Sequence, residues 1–193
     1  GGDTYTALVA PQSVATGTTF ITCKFTNGKV FVYKMKNDTD WQAGEEYTYT
    51  VSLAAAKDPG YTIEGDGSYT VTTADGLKNV AKLVNEEGKT DINITLDTDL
   101  TLTGEWTPIG TESQPYTGTF DGNGKTITGL TVTGSDRYTG LLGFIKGTVK
   151  NVVLTEINIT SGTFVGGVAG WSFGGNIENC SVSGSVSGSD VGG

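Results

Sequence analysis

Residues 129–182 read GLTVTGSDRYTGLLGFIKGTVKNVVLTEINITSGTFVGGVAGWSFGGNIENCSV, and this stretch contains one apolar pattern twice. Val132 is followed by Ile159 and then by Val186, in two steps of 27 residues. A repeat in the twenties predicts a solenoid, because each unit is too small to bury its own apolar face and must stack on a neighbour. The equivalent positions are Leu130, Val132, Tyr138, Gly140, Val149, Asn151 and Val152 in the first copy and Ile157, Ile159, Phe164, Gly166, Ile177, Asn179 and Cys180 in the second.

The composition within the repeat predicts parallel β-strands. Runs such as Leu130-Thr131-Val132 and Ile157-Asn158-Ile159 alternate apolar and polar residues, which is the period of a strand and not of a helix. Three such runs per copy, separated by glycine corners, predict an all-β fold with a right-handed parallel β-helix, since parallel crossovers are nearly always right-handed. The corners expected to need a positive φ or a close backbone approach are Gly140, Gly143, Gly166, Gly167 and Gly170.

Two phrases in the repeat resemble the GLUG motif: Thr139-Gly140-Leu141-Leu142-Gly143 and Val165-Gly166-Gly167-Val168-Ala169-Gly170. Each is followed by a similar strand, Val-Lys-Asn-Val or Ile-Glu-Asn-Cys, and related phrases extend the resemblance over residues 74–193. GLUG repeats occur in bacterial surface proteins, including large adhesins and some immunoglobulin-cleaving proteases. The resemblance implies a β-solenoid in an extracellular setting and identifies no ligand.

Composition and charge bound the class of protein. The 193 residues include 30 glycines, about double the usual ~7% share, and 4 prolines, which fits turns in a β protein. No run approaches the ~20 apolar residues that span a bilayer, and no leader starts the chain; we therefore expect no membrane span, any export signal or anchor having been removed. The formal charge of −9, without a basic cluster, argues against nucleic acid as a partner.

Residues 1–56 predict a small antiparallel sheet. Asn27-Gly28 is a strong hairpin signal between the alternating arms Thr19–Thr26 and Lys29–Lys36. A further strand is predicted over Glu46–Leu53, with Tyr47 and Tyr49 among its buried residues. The buried face of the hairpin is expected to carry Ile21, Cys23, Phe25, Phe31, Tyr33 and Met35.

The phrases Ala7–Gln12, Phe20–Tyr33 and Trp41–Val51 come in an order that resembles the C-terminal part of fimbrillin-like domains, over residues 3–54. Those domains are the β-sandwich subunits and tip proteins of Bacteroides-type fimbriae. A whole fimbrillin domain is much longer. The resemblance therefore implies an incomplete domain or a small autonomous sheet.

Residues 57–193 predict a solenoid that begins with a cap. After the boundary at Pro59-Gly60, a second hairpin joins Tyr61–Glu64 to Ser68–Thr72. A helix follows, with Thr73 as its N-cap and Gly88 at its end. Its apolar stripe consists of Leu77, Val80, Ala81 and Val84.

We interpret this helix as the N-terminal cap, because an uncovered first coil would expose an apolar cross-section and unpaired strand edges. The first coil is predicted to begin at Asp91 and to turn at Asp97-Thr98-Asp99. The sequence reaches Gly193 in the middle of a copy. We expect the native chain to continue there, or the terminal edge to be covered by something else.

Cys23 and Cys180 both lie in alternating strands, and Cys180 takes the position that Val152 fills in the previous copy. The favoured interpretation is two buried thiols that act as small hydrophobic residues. A disulfide between them is the alternative.

Candidate chemistry is limited by the lack of histidine in the sequence, which excludes Ser-His-Asp and Cys-His triads and His-based zinc sites. Asp121-Gly122-Asn123-Gly124 begins like a calcium loop, but Lys125 stands where a third oxygen ligand belongs, which favours an Asx turn. No metal or cofactor is predicted. β-Helices also host polysaccharide lyases and hydrolases that use carboxylates beside Lys or Arg, and the acids to test are Asp97, Asp99, Glu105, Asp121 and Asp136.

Aromatic residues outside the alternation are the best clue to binding, because an exposed ring can stack on a sugar or fill a protein pocket. The candidate ligand-binding residues are Trp171, Tyr138, Trp106 and Tyr116. Trp171, in the glycine-rich loop 170–175, is expected to be the most exposed. For Trp106 and Tyr138 the favoured interpretation is that they plug coil ends or corners, and binding is the alternative.

The sequence therefore predicts a non-enzymatic adhesin or fimbria-associated protein, located outside the cell, at the cell surface or anchored to the outer membrane. Its solenoid is expected to present a binding face to a host or neighbouring-cell protein or glycan, with other fimbrial subunits as further partners. The alternatives are a carbohydrate-active enzyme on a β-helix and a purely structural fimbrial subunit. Two clustered acids beside a Lys would favour the enzyme, and smooth Thr/Ser/Asn faces with isolated exposed aromatics would favour adhesion.

Overall fold

Short strands and one helix make up the regular structure of the described residues, which in this computed structural model are 10–24, 30–49, 58–134 and 136–192. The chain divides into two units, Gly1–Lys57 and Asp58–Gly193. The first is antiparallel and the second is mainly parallel, as the two sequence patterns predict.

The first unit contains two antiparallel strand pairs. β1 (Gln12–Val14) pairs with β4 (Thr39–Trp41), and β2 (Thr19–Lys24) pairs with β3 (Val30–Lys34). The arms of the predicted hairpin therefore pair as expected, although the Asn27-Gly28 turn and Phe25 lie outside the described residues. The described side chains of the predicted face are half-buried at Ile21, Cys23 and Tyr33 and buried at Met35.

The strand predicted over Glu46–Leu53 is wrong in its described part. Residues 46–49 form no strand, and Tyr47 is 41% exposed. The Tyr47 hydroxyl accepts a hydrogen bond from the Gln42 amide at 3.1 Å and donates one to the Asp40 carbonyl at 3.3 Å. These local bonds hold the segment beside the end of β4. Residues 50–53 lie outside the described part.

The second unit begins with the predicted hairpin and helix. β5 (Tyr61–Ile63) and β6 (Tyr69–Val71) pair antiparallel, and α1 (Ala74–Asn85) follows. Thr73 is the N-cap, since its side chain accepts a hydrogen bond from the Gly76 amide at 3.0 Å. Gly88, three residues after the helix, has φ +72°, a left-handed conformation that suits glycine.

Helix α1 covers the first coil, as the sequence predicts for a cap. Its apolar stripe is buried in the same core as the coils. Its polar side chains tie it to the first coil: Lys78 Nζ donates to the Thr103 carbonyl at 2.9 Å, and the Asn85 amide donates to the Pro108 carbonyl and accepts from the Gly110 amide, both at 2.8 Å. The cap therefore satisfies backbone groups of the coil that it covers.

Four successive coils stack on the cap. The first coil contains β7 (Ile94–Leu96) and β8 (Leu100–Thr101), and the second contains β9 (Thr119–Asp121), β10 (Thr126–Thr128), β11 (Thr131–Thr133), β12 (Tyr138–Thr139) and β13 (Leu142–Ile145). The third coil contains β14 (Thr148–Lys150), β15 (Val153–Thr160), β16 (Phe164–Gly166) and β17 (Ala169–Ser172). The fourth coil contains β18 (Asn176–Glu178), β19 (Ser181–Ser187) and β20 (Asp190–Gly192). Strands of neighbouring coils pair in parallel, and β7 also pairs in parallel with β6.

The predicted vertical column of apolar residues is confirmed. Val132 pairs in register with Ile159, and Ile159 pairs with Val186. A second column runs through Leu100, Ile127, Leu154 and Val182, and a third through Ile94, Phe120, Val149 and Ile177. The architecture is thus a parallel β-solenoid with a shared core.

The number of strands differs from the expectation, and the corner glycines fulfil one of the two roles expected of them. The second coil has five short strands instead of three, because additional corners separate β10 from β11 and β12 from β13. None of the five predicted corner glycines has a positive φ. Each instead lies where a Cβ would collide with a neighbour, as at Gly170, where it would stand 2.3 Å from the Thr139 nitrogen. Close approach of coils, and not backbone conformation, selects these glycines.

Both cysteines are free and half-buried. The disulfide alternative is therefore not observed. Cys180 lies beside Val152, whose carbonyl accepts a hydrogen bond from the Ser181 amide, so the equivalence seen in the repeat holds.

Close approach between coils generates a stability prediction at Gly147, where a Cβ would lie 2.0 Å from the Gly118 carbonyl oxygen. Gly147→Ala is expected to lower the free energy of unfolding by about 1–3 kcal/mol, because backbone must move to admit the methyl group. Gly65→Ala is the matched control, since nothing lies within 4 Å of a Cβ there. Urea unfolding of both variants measures the difference; equal stabilities would contradict tight coil stacking at Gly147.

Candidate functional site

Four aromatic side chains meet where the second and third coils stack. Tyr138 of β12 pairs in register with Phe164 of β16, and Phe144 of β13 pairs with Trp171 of β17. Because parallel strands in register place equivalent side chains above one another, two aromatic columns of two rings each lie side by side. We call Tyr138, Phe144, Phe164 and Trp171 the aromatic cluster.

The rings of the aromatic cluster contact one another directly. Tyr138 and Phe164 are stacked, with centroids 5.4 Å apart and planes 12° apart. Phe144 meets Tyr138 edge to face at 5.2 Å, and Trp171 meets Phe164 edge to face at 4.7 Å. Such pairs stabilise by about 0.5–1.5 kcal/mol beyond area burial, which preorganises the rings.

Exposure within the aromatic cluster is graded. Phe144 is buried, Tyr138 and Phe164 are half-buried, and Trp171 is 38% exposed. Phe173, two residues after Trp171, is 63% exposed, and Lys146 Nζ lies 5.8 Å from its ring centroid. The prediction that Trp171 is an exposed ring is therefore consistent with its position.

A charged pair borders the aromatic cluster. The Arg137 guanidinium carbon lies 5.0 Å from the Tyr138 centroid and 5.7 Å from the Phe164 centroid. Arg137 Nη1 also pairs with Glu112 Oε2 at 3.2 Å, and the Tyr138 hydroxyl donates to Glu112 Oε1 at 3.4 Å. The two charged side chains are more than half exposed, so their pairing stabilises the fold by less than about 1 kcal/mol and leaves them able to contact a ligand.

The other two predicted binding residues lie outside this site. Trp106 is 3% exposed and its indole N–H donates to the Leu141 carbonyl at 2.9 Å. Tyr116 is fully buried and its hydroxyl donates to the Ile92 carbonyl at 2.8 Å, and burial raises the pKa of the Tyr116 phenol well above its usual range. Neither ring reaches the surface, so the prediction of surface binding does not hold for them and the plug interpretation holds for Trp106.

Phe144, Phe164 and Phe173 were missed as site residues. The repeat contains a signal for the first two, since Tyr138 and Phe164 are 26 residues apart and Phe144 and Trp171 are 27 apart. Aromatic residues at equivalent repeat positions stack in a solenoid. No comparable signal marks Phe173.

Three of the five acids proposed for paired catalysis, Asp99, Glu105 and Asp121, have structural partners. Asp121 Oδ1 accepts from the Asn123 amide at 2.8 Å, which confirms the Asx turn, and Asp121 Oδ2 lies 3.3 Å from Lys150 Nζ. Glu105 accepts from the Thr133 amide and hydroxyl, which lower its pKa, and Asp99 accepts from the Thr126 amide at 2.8 Å. Among the described residues no group of three or more acids or cysteines is placed to hold a metal ion.

A small cavity lies between α1 and the first coil. Its volume is 180 Å³, below the roughly 300–1,000 Å³ of most ligand pockets. Two of its residues, Lys78 and Asn85, are occupied by the capping bonds to the first coil. We therefore interpret this cavity as a gap left where helix α1 packs on the first coil.

Together, the stacked parallel coils define a β-solenoid that carries an aromatic cluster where its second and third coils meet. Residues 1–75 match the family model described as fimbrillin-like, and residues 161–187 match the GLUG motif. The order of the two matches agrees with the sequence resemblances. The described residues include no helix with the length and apolar character needed to cross a bilayer.

Two curated proteins are similar to parts of the chain. Halomucin of Haloquadratum walsbyi is 38% identical over 92 residues, which are 45% of this chain and 1% of halomucin. A protein of Evansella cellulosilytica, provisionally named a Gly-rich membrane protein, is 35% identical over 127 residues, which are 61% of this chain and 14% of that protein. The chain thus spans a small part of each of these relatives.

A solved structure supports the fold. It is a Bacteroides ovatus protein provisionally named an immunoglobulin A1 protease, with a TM-score of 0.53 and 19% identity. The similarity covers 67% of this chain and 40% of that one. At this level of identity it shows the fold alone.

The different exposures of the three tryptophans generate a spectroscopic prediction. Trp41 and Trp106 are 6% and 3% exposed, whereas Trp171 is 38% exposed. Acrylamide is expected to quench one tryptophan in the native protein, and Trp171→Phe is expected to remove most of the quenchable emission. Trp41→Phe is the control, because it should leave that fraction in place. A quenchable fraction unchanged in Trp171→Phe would contradict the exposure of the cluster.

The corner at Asp121 generates a prediction about pH. Partial burial alone would raise the pKa of Asp121, but hydrogen bonds from Asn151, the Asn123 amide and Lys150 outweigh it and lower the pKa below the ordinary 3.8. Because the folded-state pKa is depressed, the carboxylate stabilises the fold above its unfolded pKa, and this contribution is lost as pH falls through the folded value.

We therefore expect Asp121→Asn to be less stable than the natural protein at neutral pH and to differ less from it below about pH 4. Urea unfolding at several pH values measures this difference. A difference in stability that does not change with pH would contradict the assigned interactions of the carboxylate.

Proposed function

We propose that this protein is a non-enzymatic adhesin of the cell surface, and that its solenoid presents the aromatic cluster to a host or neighbouring-cell protein or glycan. The observation that carries the proposal is the aromatic cluster itself, which is held rigid by inter-coil register and has its Trp171 end open to solvent. Rings that are ordered before binding lose little conformational entropy on contact, and they are frequent anchors of binding surfaces.

The polar faces around the coils support an adhesion role. Outward positions stack as short polar columns, such as Thr131, Asn158 and Ser185. The Thr128 and Thr155 hydroxyls are 2.9 Å apart, so some hydroxyls in such columns form hydrogen bonds with one another. Against such polar columns, Trp171 of the aromatic cluster and the nearby Phe173 expose aromatic area that a partner can contact.

Electrostatics favour binding over catalysis. The pKa values of Asp121 and Glu105 are lowered, whereas a carboxylic acid that donates a proton in glycoside cleavage needs a raised one. Asp121, Lys150 and Glu178 do follow one another in register, but the lysine pairs with Asp121 and the column alternates in charge, as cross-strand pairs commonly do.

Location at the cell surface is supported by the matches. The fimbrillin-like region at residues 1–75 also favours other fimbrial subunits as partners. The names of the two relatives, a halomucin and a Gly-rich membrane protein, agree with a surface protein. A location at the cell surface would expose the aromatic cluster to proteins and glycans of a host or a neighbouring cell.

Binding to immobilised matrix proteins and mucin glycans tests the proposal. The full chain is expected to bind at least one of these surfaces, and Trp171→Ala is expected to weaken that binding at least about tenfold, as loss of a central aromatic anchor does. Surface plasmon resonance measures both.

The matched control is Ile63→Ala, because Ile63 of β5 is an exposed apolar residue on a different sheet. It should bind as the natural protein does. Equal binding by Trp171→Ala and the natural protein would show that the aromatic cluster is not the contact site, and hydrolysis or cleavage of the probe would replace adhesion with an enzymatic role.

A further inference from the structure

We infer that the partner of the aromatic cluster is a neutral oligosaccharide, an inference that rests on the proposed function and specifies its ligand. Four properties of the site point to this chemistry: the arrangement of its rings, its size, the polar groups at its border and the charges around it.

The ring arrangement suits the apolar faces of sugars. The C–H faces of a pyranose pack against aromatic rings, and this contact needs at least one ring that solvent can reach. Trp171 provides it, and the more exposed Phe173 follows in the bend after β17. Phe164 packs edge to face against Trp171 at 4.7 Å, so the cluster orients the indole while part of it stays exposed to a sugar.

The size of the site also favours a saccharide over a folded protein. A standard protein interface buries about 800 Å² on each partner and involves about 20–30 residues a side. The aromatic cluster and Phe173 are five side chains. The outward columns on β15 and its neighbours are Thr, Ser and Asn residues, and hydroxyls bond to one another in the pairs Thr128 with Thr155 and Ser187 with Thr160. A short saccharide needs no wider apolar surface.

The polar border matches hydroxyl groups. Glu112, Arg137 and the Tyr138 hydroxyl form one connected set at the edge of the rings. A carboxylate accepts and a guanidinium donates in a fixed plane, so the pair can engage adjacent sugar hydroxyls, which both donate and accept. The exposure of the pair keeps the desolvation cost of such contacts low.

The charges around the cluster disfavour anionic sugars. Two cations lie at the site: Arg137, the one arginine of the sequence, pairs with Glu112, and Lys146 lies 5.8 Å from the Phe173 ring centroid. Asp136 is exposed beside Arg137, and Asp190 continues the Tyr138–Phe164 column on the fourth coil. With a formal net charge of −9, the protein repels sulfated and uronic acid chains.

Titration with short linear neutral oligosaccharides, beside sulfated and uronic acid oligosaccharides of equal length, tests the inference. Trp171 emission reports binding directly, since the other two tryptophans are buried. Neutral probes are expected to bind with an affinity that changes less than about twofold between roughly 0.05 M and 0.5 M NaCl, because no ion pair forms with the ligand. Anionic probes are expected to bind at least about tenfold more weakly at the lower salt concentration.

Variants separate the ring contact from the polar border, and isothermal titration calorimetry measures them where Trp171 is absent. Trp171→Ala is expected to weaken neutral-probe binding at least about tenfold, Trp171→Phe to weaken it less, and Ile63→Ala to leave it unchanged. Arg137→Ala is expected to weaken it several-fold and Glu112→Gln less, since the amide still accepts a hydrogen bond. Circular dichroism verifies that each variant is folded.

The outcomes distinguish this inference from the proposed function. If Trp171→Ala abolishes binding of a protein or an anionic glycan while neutral probes do not bind, the neutral-saccharide inference is overturned and the adhesin proposal stands. If neither neutral probes nor any other ligand class depends on Trp171, both are overturned.

Discussion

Parallel stacking of coils in register is the constraint on which this structure depends. Each coil buries its apolar residues against those above and below it, as in the column of Val132, Ile159 and Val186, while its backbone pairs with the neighbouring coils. No coil has enough apolar surface to fold alone, so stability comes from the interfaces between coils. The corners must obey the same spacing: Asn123, Asn151 and Asn179 have left-handed φ values of 48–54°, and Glu156, 27 residues after the positive-φ Gly129, has φ +53°.

The asparagine corners show how local conformation and stacking support each other. Asn151 donates to Asp121 Oδ1 at 2.9 Å, and Asn179 donates to Asn151 Oδ1 at 2.8 Å. The left-handed conformation costs about 1 kcal/mol or more for most residues, and asparagine tolerates it because its short amide bonds locally. Here the amides bond from coil to coil, so the residue that permits the corner also joins adjacent turns.

The same register builds the candidate site. A side chain that points outward from one coil is stacked on its equivalent in the next, and the aromatic pairs Tyr138 with Phe164 and Phe144 with Trp171 follow directly. The column of Tyr138 and Phe164 ends where Asp190 replaces the aromatic residue on the fourth coil. The extent of the site is therefore set by how many successive coils carry an aromatic residue at the equivalent position. Helix α1 covers the core at the first coil and contributes no residue to the aromatic cluster.

The sequence by itself determined the solenoid, the capping helix with its Thr73 N-cap, the N-terminal hairpin arms and the vertical apolar column. These depend on periodicity, capping and turn preferences, which are properties of residues close together in the chain. The strand expected over Glu46–Leu53 was not found in its described part, where the Tyr47 hydroxyl bonds to Gln42 and Asp40 of the preceding segment.

Tertiary structure alone decided which aromatic rings are accessible and which glycines are needed for close contact. Trp106 and Trp171 both lie near corners in the sequence, yet Trp106 is buried against Leu141 of the next coil and Trp171 is not covered to the same degree. Accessibility depends on what the neighbouring coil places above a ring, and that neighbour lies about 27 residues away in the chain. For this reason the sequence could identify candidate rings, and the stacking of coils had to select among them.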